Sequence, residues 1–152
     1  MVKVAIEECA ERTIDSIHKI EDIFKLKPCK SVMRLDLNLP HLKVLRFIAH
    51  ASQPQTISII GNSLDISMAM MTRIIDKLEN HKLVERDRDT TDRRIIRIKL
   101  SAKGKKLAKE CNDCHKEHII NMLNGLTPKD REMFIAAMNT ITEIISREGD
   151  KK

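Results

Sequence analysis

Residues Thr56 to Asn80 read TISIIGNSLDISMAMMTRIIDKLEN, and the way this stretch divides decides the fold. Thr56 and Ser67 each stand just before an apolar-periodic run. A Thr or Ser there accepts a hydrogen bond from the unpaired N–H groups of a first helical turn. The spacing predicts a short helix over Ile57 to Ser63, a turn over Leu64 to Ser67 and a second helix over Met68 to Asn80. In the second helix Met71, Ile74, Ile75 and Leu78 recur at intervals of three and four, the pattern of one buried face. Ser67, Ala69, Met70, Thr72, Arg73, Asp76 and Lys77 fall on the outward face. Two short helices joined by a tight turn form a helix-turn-helix. Small residues at the exposed N-terminal turn let the second helix enter a DNA major groove about 12 Å wide, with Thr72 and Arg73 in reach of base edges.

Beyond Asn80 the period changes from helical to alternating. In Arg94-Ile95-Ile96-Arg97-Ile98-Lys99-Leu100 one face reads Ile96, Ile98 and Leu100, which predicts a half-buried strand. Leu83 to Arg88 is its expected antiparallel partner, and Asp89 to Asp92 the polar turn between them. Arg86, Arg88, Arg93 and Arg94 cluster on this hairpin, a composition suited to the focused negative potential of a minor groove. Asp89 and Asp92 are placed to pair with these arginines.

Outward from this centre lie helices. A first is expected from Val2 to about Lys25, with Ile6, Ala10, Ile14, Ile17, Ile20 and Phe24 on one stripe. A second should begin at Asn38 as N-cap and run through Ile48. After the hairpin, Ser101 caps a long helix to about Leu123, ended by Gly125. Thr127-Pro128-Lys129-Asp130 opens a last one bearing Phe134, Met138, Ile141 and Ile145. The fold class is therefore mostly α with a small β-hairpin wing.

Charge is concentrated where the helix-turn-helix and hairpin lie. The chain of 152 residues carries a formal net charge of +6. Between Pro54 and Lys106, twelve basic side chains against seven acidic ones leave an excess of five, nearly all of it. A basic centre between balanced arms favours an acidic partner. With 41% apolar residues, 2% aromatic and neither Trp nor Tyr, the core must come from Ile, Leu, Met and Val. The length suits one ordinary domain. No apolar run approaches the roughly 18 residues of a membrane span, and the charged N-terminus lacks a signal-peptide core. A cytoplasmic chain without membrane contact is expected, its four cysteines reduced.

An enzyme is disfavoured. Only four glycines are present, none in a phosphate-cradling loop or a nucleophile elbow, and no cofactor is expected. His18, His41, His50 and His81 are scattered. One local cluster stands out: Cys111, Cys114, His115 and His118 share a helical face at i, i+3, i+4 and i+7. Thiolates and imidazoles at that spacing suit a zinc-like ion or an oxidant sensor. The face also continues the apolar stripe of Leu107 and Met122, and core packing is the ordinary reading.

Leu37 to Gly104 resembles the MarR family of bacterial winged-helix regulators. The likeness lies in Thr56-x-x-Ile59-Ile60-Gly61-x-x-Leu64-x-Ile66-Ser67, in Met71 to Glu79, in Leu83-Val84-x-Arg86, in the wing run Asp92-Arg93-Arg94 and in the exit Leu100-Ser101-x-Lys103-Gly104. Ile59, Gly61 and His81-Lys82 depart from the family pattern, the last replacing a Gly-containing turn, so that a non-Gly residue there has to take φ > 0. The resemblance implies one MarR-like domain over 1–152, with a winged core over 37–104 and dimerisation through helices in 1–27 and 102–147. It implies a homodimeric, sequence-specific regulator of transcription on palindromic double-stranded DNA, a repressor released by a small-molecule effector. The effector would lie near Phe47, His50 and Leu107. Ser67, Ala69, Met70, Thr72, Arg73 and Lys77 would face the major groove, and Arg94 would enter the minor groove. The alternatives are a metal- or redox-responsive regulator working through the Cys/His cluster, and a winged-helix module for protein interaction.

Overall fold

The computed structural model describes residues 5–23, 29–88 and 95–149. The element order is α1 (Ile6–Ile23), α2 (Lys30–Arg34), α3 (Leu39–His50), β1 (Gln55–Thr56), α4 (Ile57–Leu64), α5 (Met68–Asn80), β2 (Val84–Arg88), β3 (Ile96–Leu100), α6 (Ala102–Asn124) and α7 (Pro128–Gly149). Helix starts follow the polar residues that precede them. The Thr56 hydroxyl accepts from the Ile59 N–H (3.3 Å), Ser67 Oγ from Met70 N–H (3.4 Å), Ser101 Oγ from Gly104 N–H (3.0 Å) and Thr127 Oγ1 from Asp130 N–H (3.2 Å). At α3 the partner is reciprocal: His41 Nδ1 accepts from the Asn38 backbone N–H (3.3 Å), one half of a capping box.

The three strands form an antiparallel sheet in the order β1-β3-β2. The hairpin register sets Val84 opposite Leu100 and Arg86 opposite Ile98, so Val84, Ile98 and Leu100 point to the core. The core is one cluster: Val44, Leu45 and Ile48 from α3, Ile60 from α4, the whole stripe Met71, Ile74, Ile75 and Leu78 of α5, then Leu83, the strand residues and Leu107. The α5 stripe is the one its spacing predicts.

Two small elements escape the sequence reading. The α2 helix is five residues long, and its N-cap Cys29 makes no side-chain cap bond. Its buried Val32 nonetheless joins the core. The β1 strand is two residues long, too short for any alternation, and it turns the expected hairpin into a three-stranded sheet. Leu83 precedes β2 rather than belonging to it, and α6 runs one residue past Leu123.

Among the described residues three non-Gly positions take left-handed backbone: Asp36 (φ 49), Asp65 (φ 52) and Lys82 (φ 58). Lys82 is where a Gly-containing turn was missing. Beside it, Gly104 is required by close approach: a Cβ there would stand 1.9 Å from the Leu83 carbonyl oxygen. That carbonyl also accepts from Ser101 N–H (3.0 Å), and the Ser101 hydroxyl donates to Lys82 O (2.6 Å). The turn after α5 is thereby fastened to the start of α6.

Candidate nucleic-acid interface

The α5 helix is buried along one side and open along the other. Ser67, Met68, Ala69, Met70, Thr72 and Arg73 are all exposed, in contrast to the covered stripe. Met68, exposed like Met70, is absent from the outward face read from the sequence. The Thr72 hydroxyl donates back to Met68 O (3.0 Å), and its oxygen keeps the capacity to accept.

Two of the basic candidates are held inside the chain. Lys77 Nζ donates to the Asp36 backbone carbonyl (2.6 Å) and to its carboxylate (3.0 Å). The hydrogen bond and charge of Lys77 hold the Asp36 carboxyl below its ordinary value. This clasp joins the recognition-type helix to the left-handed residue between α2 and α3. Arg86 donates to Asp76 and, through Nε, to Glu79 Oε2 at 2.9 Å. Asp76 and Glu79 lie one turn apart on α5, so Arg86 ties the wing's first strand to that helix. The i, i+3 acids were the signal for this, visible in the sequence but unreadable until β2 was placed beside them.

On the outer face of the hairpin Lys99 binds Asp87 (2.8 Å) and approaches Glu85 (3.9 Å). The Asp87 contact raises the Lys99 ammonium above its ordinary value and lowers Asp87. Arg97 Nη1 donates to Pro54 O (3.4 Å), linking β3 to the segment before β1. Arg88 is exposed at the end of β2. Arg93 and Arg94, with Asp89 and Asp92, lie outside the described residues.

A second feature lies where α3 ends. His50, Pro54, Lys99, Lys105, Lys109 and Asn112 line an open groove of about 560 Å³. Phe47 is half-buried and Leu107 is buried, so of the three residues expected around an effector only His50 lines this groove.

The Cys/His face of α6 divides. Cys111 packs against the core and His115 and His118 are half-buried, while Cys114 is exposed. No group of three metal-ligating side chains forms among the described residues. The neighbour sequence could not reveal is Cys29, whose Sγ lies 3.7 Å from Cys111 Sγ.

Residues 37–96 match the model of the MarR family. The chain carries a MarR-family domain. Among curated proteins it is similar to the HTH-type transcriptional regulator MhqR of Bacillus subtilis (strain 168), 28% identical over 120 residues, 79% of this chain and 77% of MhqR. Among solved structures it is similar to MepR, a transcription regulator of the Staphylococcus aureus multidrug efflux pump MepA. That match has a TM-score of 0.72 at 19% identity and covers 85% of this chain and 95% of MepR. The S. aureus MepR–DNA complex matches with a TM-score of 0.62 at 20% identity, over 84% of this chain and 93% of that one. The MarR-family winged helix is thus the fold of this chain as well as the reading of its motifs.

Proposed function

We propose that this chain is a transcriptional regulator that binds double-stranded DNA sequence-specifically as a homodimer. One observation carries the reading: α5 buries its whole apolar stripe while presenting an exposed face of small and polar residues ending in Arg73, beside a basic hairpin. Ser67, Ala69, Met70, Thr72 and Arg73 read the major groove, and Arg88, Arg93 and Arg94 of the wing meet the backbone and minor groove. Lys77 and Arg86 set the angle of α5 through Asp36, Asp76 and Glu79. MepR, whose fold this chain shares, has been solved bound to DNA.

The homodimer reading rests on α1 and α7. Ile14, Ile17 and Ile20 on one, and Ile141, Ile144 and Ile145 on the other, are exposed large apolar residues. A second copy covers them, which places two α5 helices on one side of a palindromic site with half-sites about 10 base pairs apart. The regulator represses, and an anionic effector in the groove lined by Lys99, Lys105 and Lys109 releases it. The protein works in the cytoplasm, by binding rather than catalysis; no helix among the described residues is long and apolar enough to cross a membrane.

Selection from a random DNA pool tests the reading. The expected result is a two-fold symmetric site whose affinity falls steeply with salt, the mark of phosphate neutralisation. An unenriched pool, or binding indifferent to salt, would favour the protein-interaction module instead.

A further inference from the structure

We infer that the tip of α5 reads thymine methyl groups through Met68, Ala69 and Met70, which makes these three side chains the specificity determinants of the half-site. The inference deepens the DNA-binding reading and rests on it. Met68 is 53% exposed and Met70 39%, whereas Met71 beside them is 0% exposed. Ala69, between the two, is exposed as well. An apolar residue standing singly on a surface is ordinary. Three in succession, open on the first turn of a helix, make a patch, and a patch marks a place of contact. In a helix-turn-helix that first turn is the part that meets base edges.

The polar groups around the patch are largely engaged within the chain. Ser67 Oγ accepts from the Met70 N–H (3.4 Å), and the Thr72 hydroxyl donates to Met68 O (3.0 Å). Asp76 takes Arg86, and Lys77 is held by the Asp36 carbonyl and carboxylate. The cations of α5 are Arg73 and Lys77, so Arg73 is the exposed one left to reach a base. Such a face carries little of the donor and acceptor code that distinguishes base pairs. What it can match in a major groove is the C5-methyl group of thymine, with the Arg73 guanidinium suited to O6 and N7 of guanine.

Helical spacing puts Ala69 and Arg73 one turn apart in the middle of the outward face, with Met68 on one flank and Met70 on the other. The small residue admits the helix, and the two flexible thioether chains can spread over neighbouring methyl groups. Charge selects DNA as the occupant over an apolar protein surface. Exposed Arg73 and Arg88 belong to the same centre, where the positive excess of five between Pro54 and Lys106 is concentrated.

The test takes the site selected from the random pool and replaces its thymines one at a time by deoxyuridine, which removes the methyl and keeps the pairing edge. A few thymines, placed symmetrically in the two half-sites, should each lose about fourfold in affinity, the worth of one buried apolar carbon. Met68→Ser with Met70→Ser should bind the thymine and deoxyuridine sites alike. Both side chains are exposed, so the urea midpoint of that variant should match wild type. A cytosine put at a sensitive position should gain a similar factor on 5-methylation with wild type and not with the double variant. Three results overturn the methyl reading and leave DNA binding standing: an enriched half-site without thymine, a site indifferent to deoxyuridine throughout, or undiminished discrimination in the double variant. A pool that enriches nothing overturns DNA binding itself, and the methyl reading with it.

Discussion

The winged centre and the terminal helices are built on opposite terms. From Val32 to Leu107 every helix and both strands of the hairpin contribute buried apolar side chains, and that cluster closes on itself. The α1 and α7 helices contribute none to it, although both carry isoleucines at helical spacing, and those isoleucines are exposed. Equal amphipathicity thus has two outcomes in one chain. The difference is topological: short connections fold α3 to α6 onto a common sheet, whereas among the described residues α1 and α7 place no side chain in the buried cluster. The centre is a fold; the ends are an offer of surface.

The strongest way to break this contrast is Gly104→Ala. The added Cβ would meet the Leu83 carbonyl, a backbone atom that cannot rotate away. We expect a loss of about 3 kcal/mol in urea unfolding, whereas Gly125→Ala, with 3.6 Å to its nearest neighbour, should leave stability within about 0.5 kcal/mol of wild type. Equal effects would mean that the α5–α6 turn is looser than its contacts imply.

Charging the ends should do the reverse. Ile17→Asp with Ile141→Asp is expected to weaken self-association by about 2 kcal/mol per site or more, seen as a shift to monomer in sedimentation. Amide exchange protection in α5 should persist. A double variant that stays dimeric removes these stripes from the interface.

Within the centre, Arg73→Ala should cost about 1–3 kcal/mol on the selected DNA site if Arg73 reads a base. Lys77→Met should act differently. Its pair with Asp36 is well exposed on the carboxylate side, so folding stability should change by less than about 1 kcal/mol, with the salt dependence of DNA binding retained. A salt slope reduced by about one would instead make Lys77 a phosphate contact.

The smallest effect is a pH dependence. Burial first, and the charge of Lys77 second, hold His41 below its ordinary value of 6.5. The unfolded chain therefore takes up its proton first as pH falls. The contribution of neutral His41 is complete above 6.5 and is lost as pH drops through the lower folded value. His41→Gln should flatten that part of the urea-midpoint profile; an unchanged profile assigns the slope to other groups.

Much of this was legible beforehand because it depends on near neighbours. The Ser67 cap, the α5 stripe and the alternation of Ile98 and Leu100 each need only a few residues in sequence, and each has the predicted element, whereas Ile96, expected on the same covered face, is exposed at the start of β3. The family motifs added the order of those elements. What could not be read depends on pairs distant in the chain: Lys77 with Asp36, Arg86 with Asp76 and Glu79, Cys29 with Cys111. These side chains look like an ordinary basic face or an ordinary buried thiol until a partner elsewhere in the chain, from one to many helical turns away in sequence, is brought beside them. Lys77 and Arg86 read in sequence as groove contacts because charge is visible there and its ion pairing is not.

Thr56 has a consequence of its own. Its backbone pairs with Arg97 in the sheet, and its hydroxyl receives the Ile59 N–H at the first turn of α4. One residue is therefore both the last link of a strand and the first support of a helix, with no spacer between. Torque applied to the wing, by DNA or by thermal motion, reaches the helix pair through a stiff joint and is not absorbed by a loop. The wing and the helix-turn-helix must then swing as one lever, so a change in groove width felt at the hairpin becomes a change in the pitch at which α5 lies.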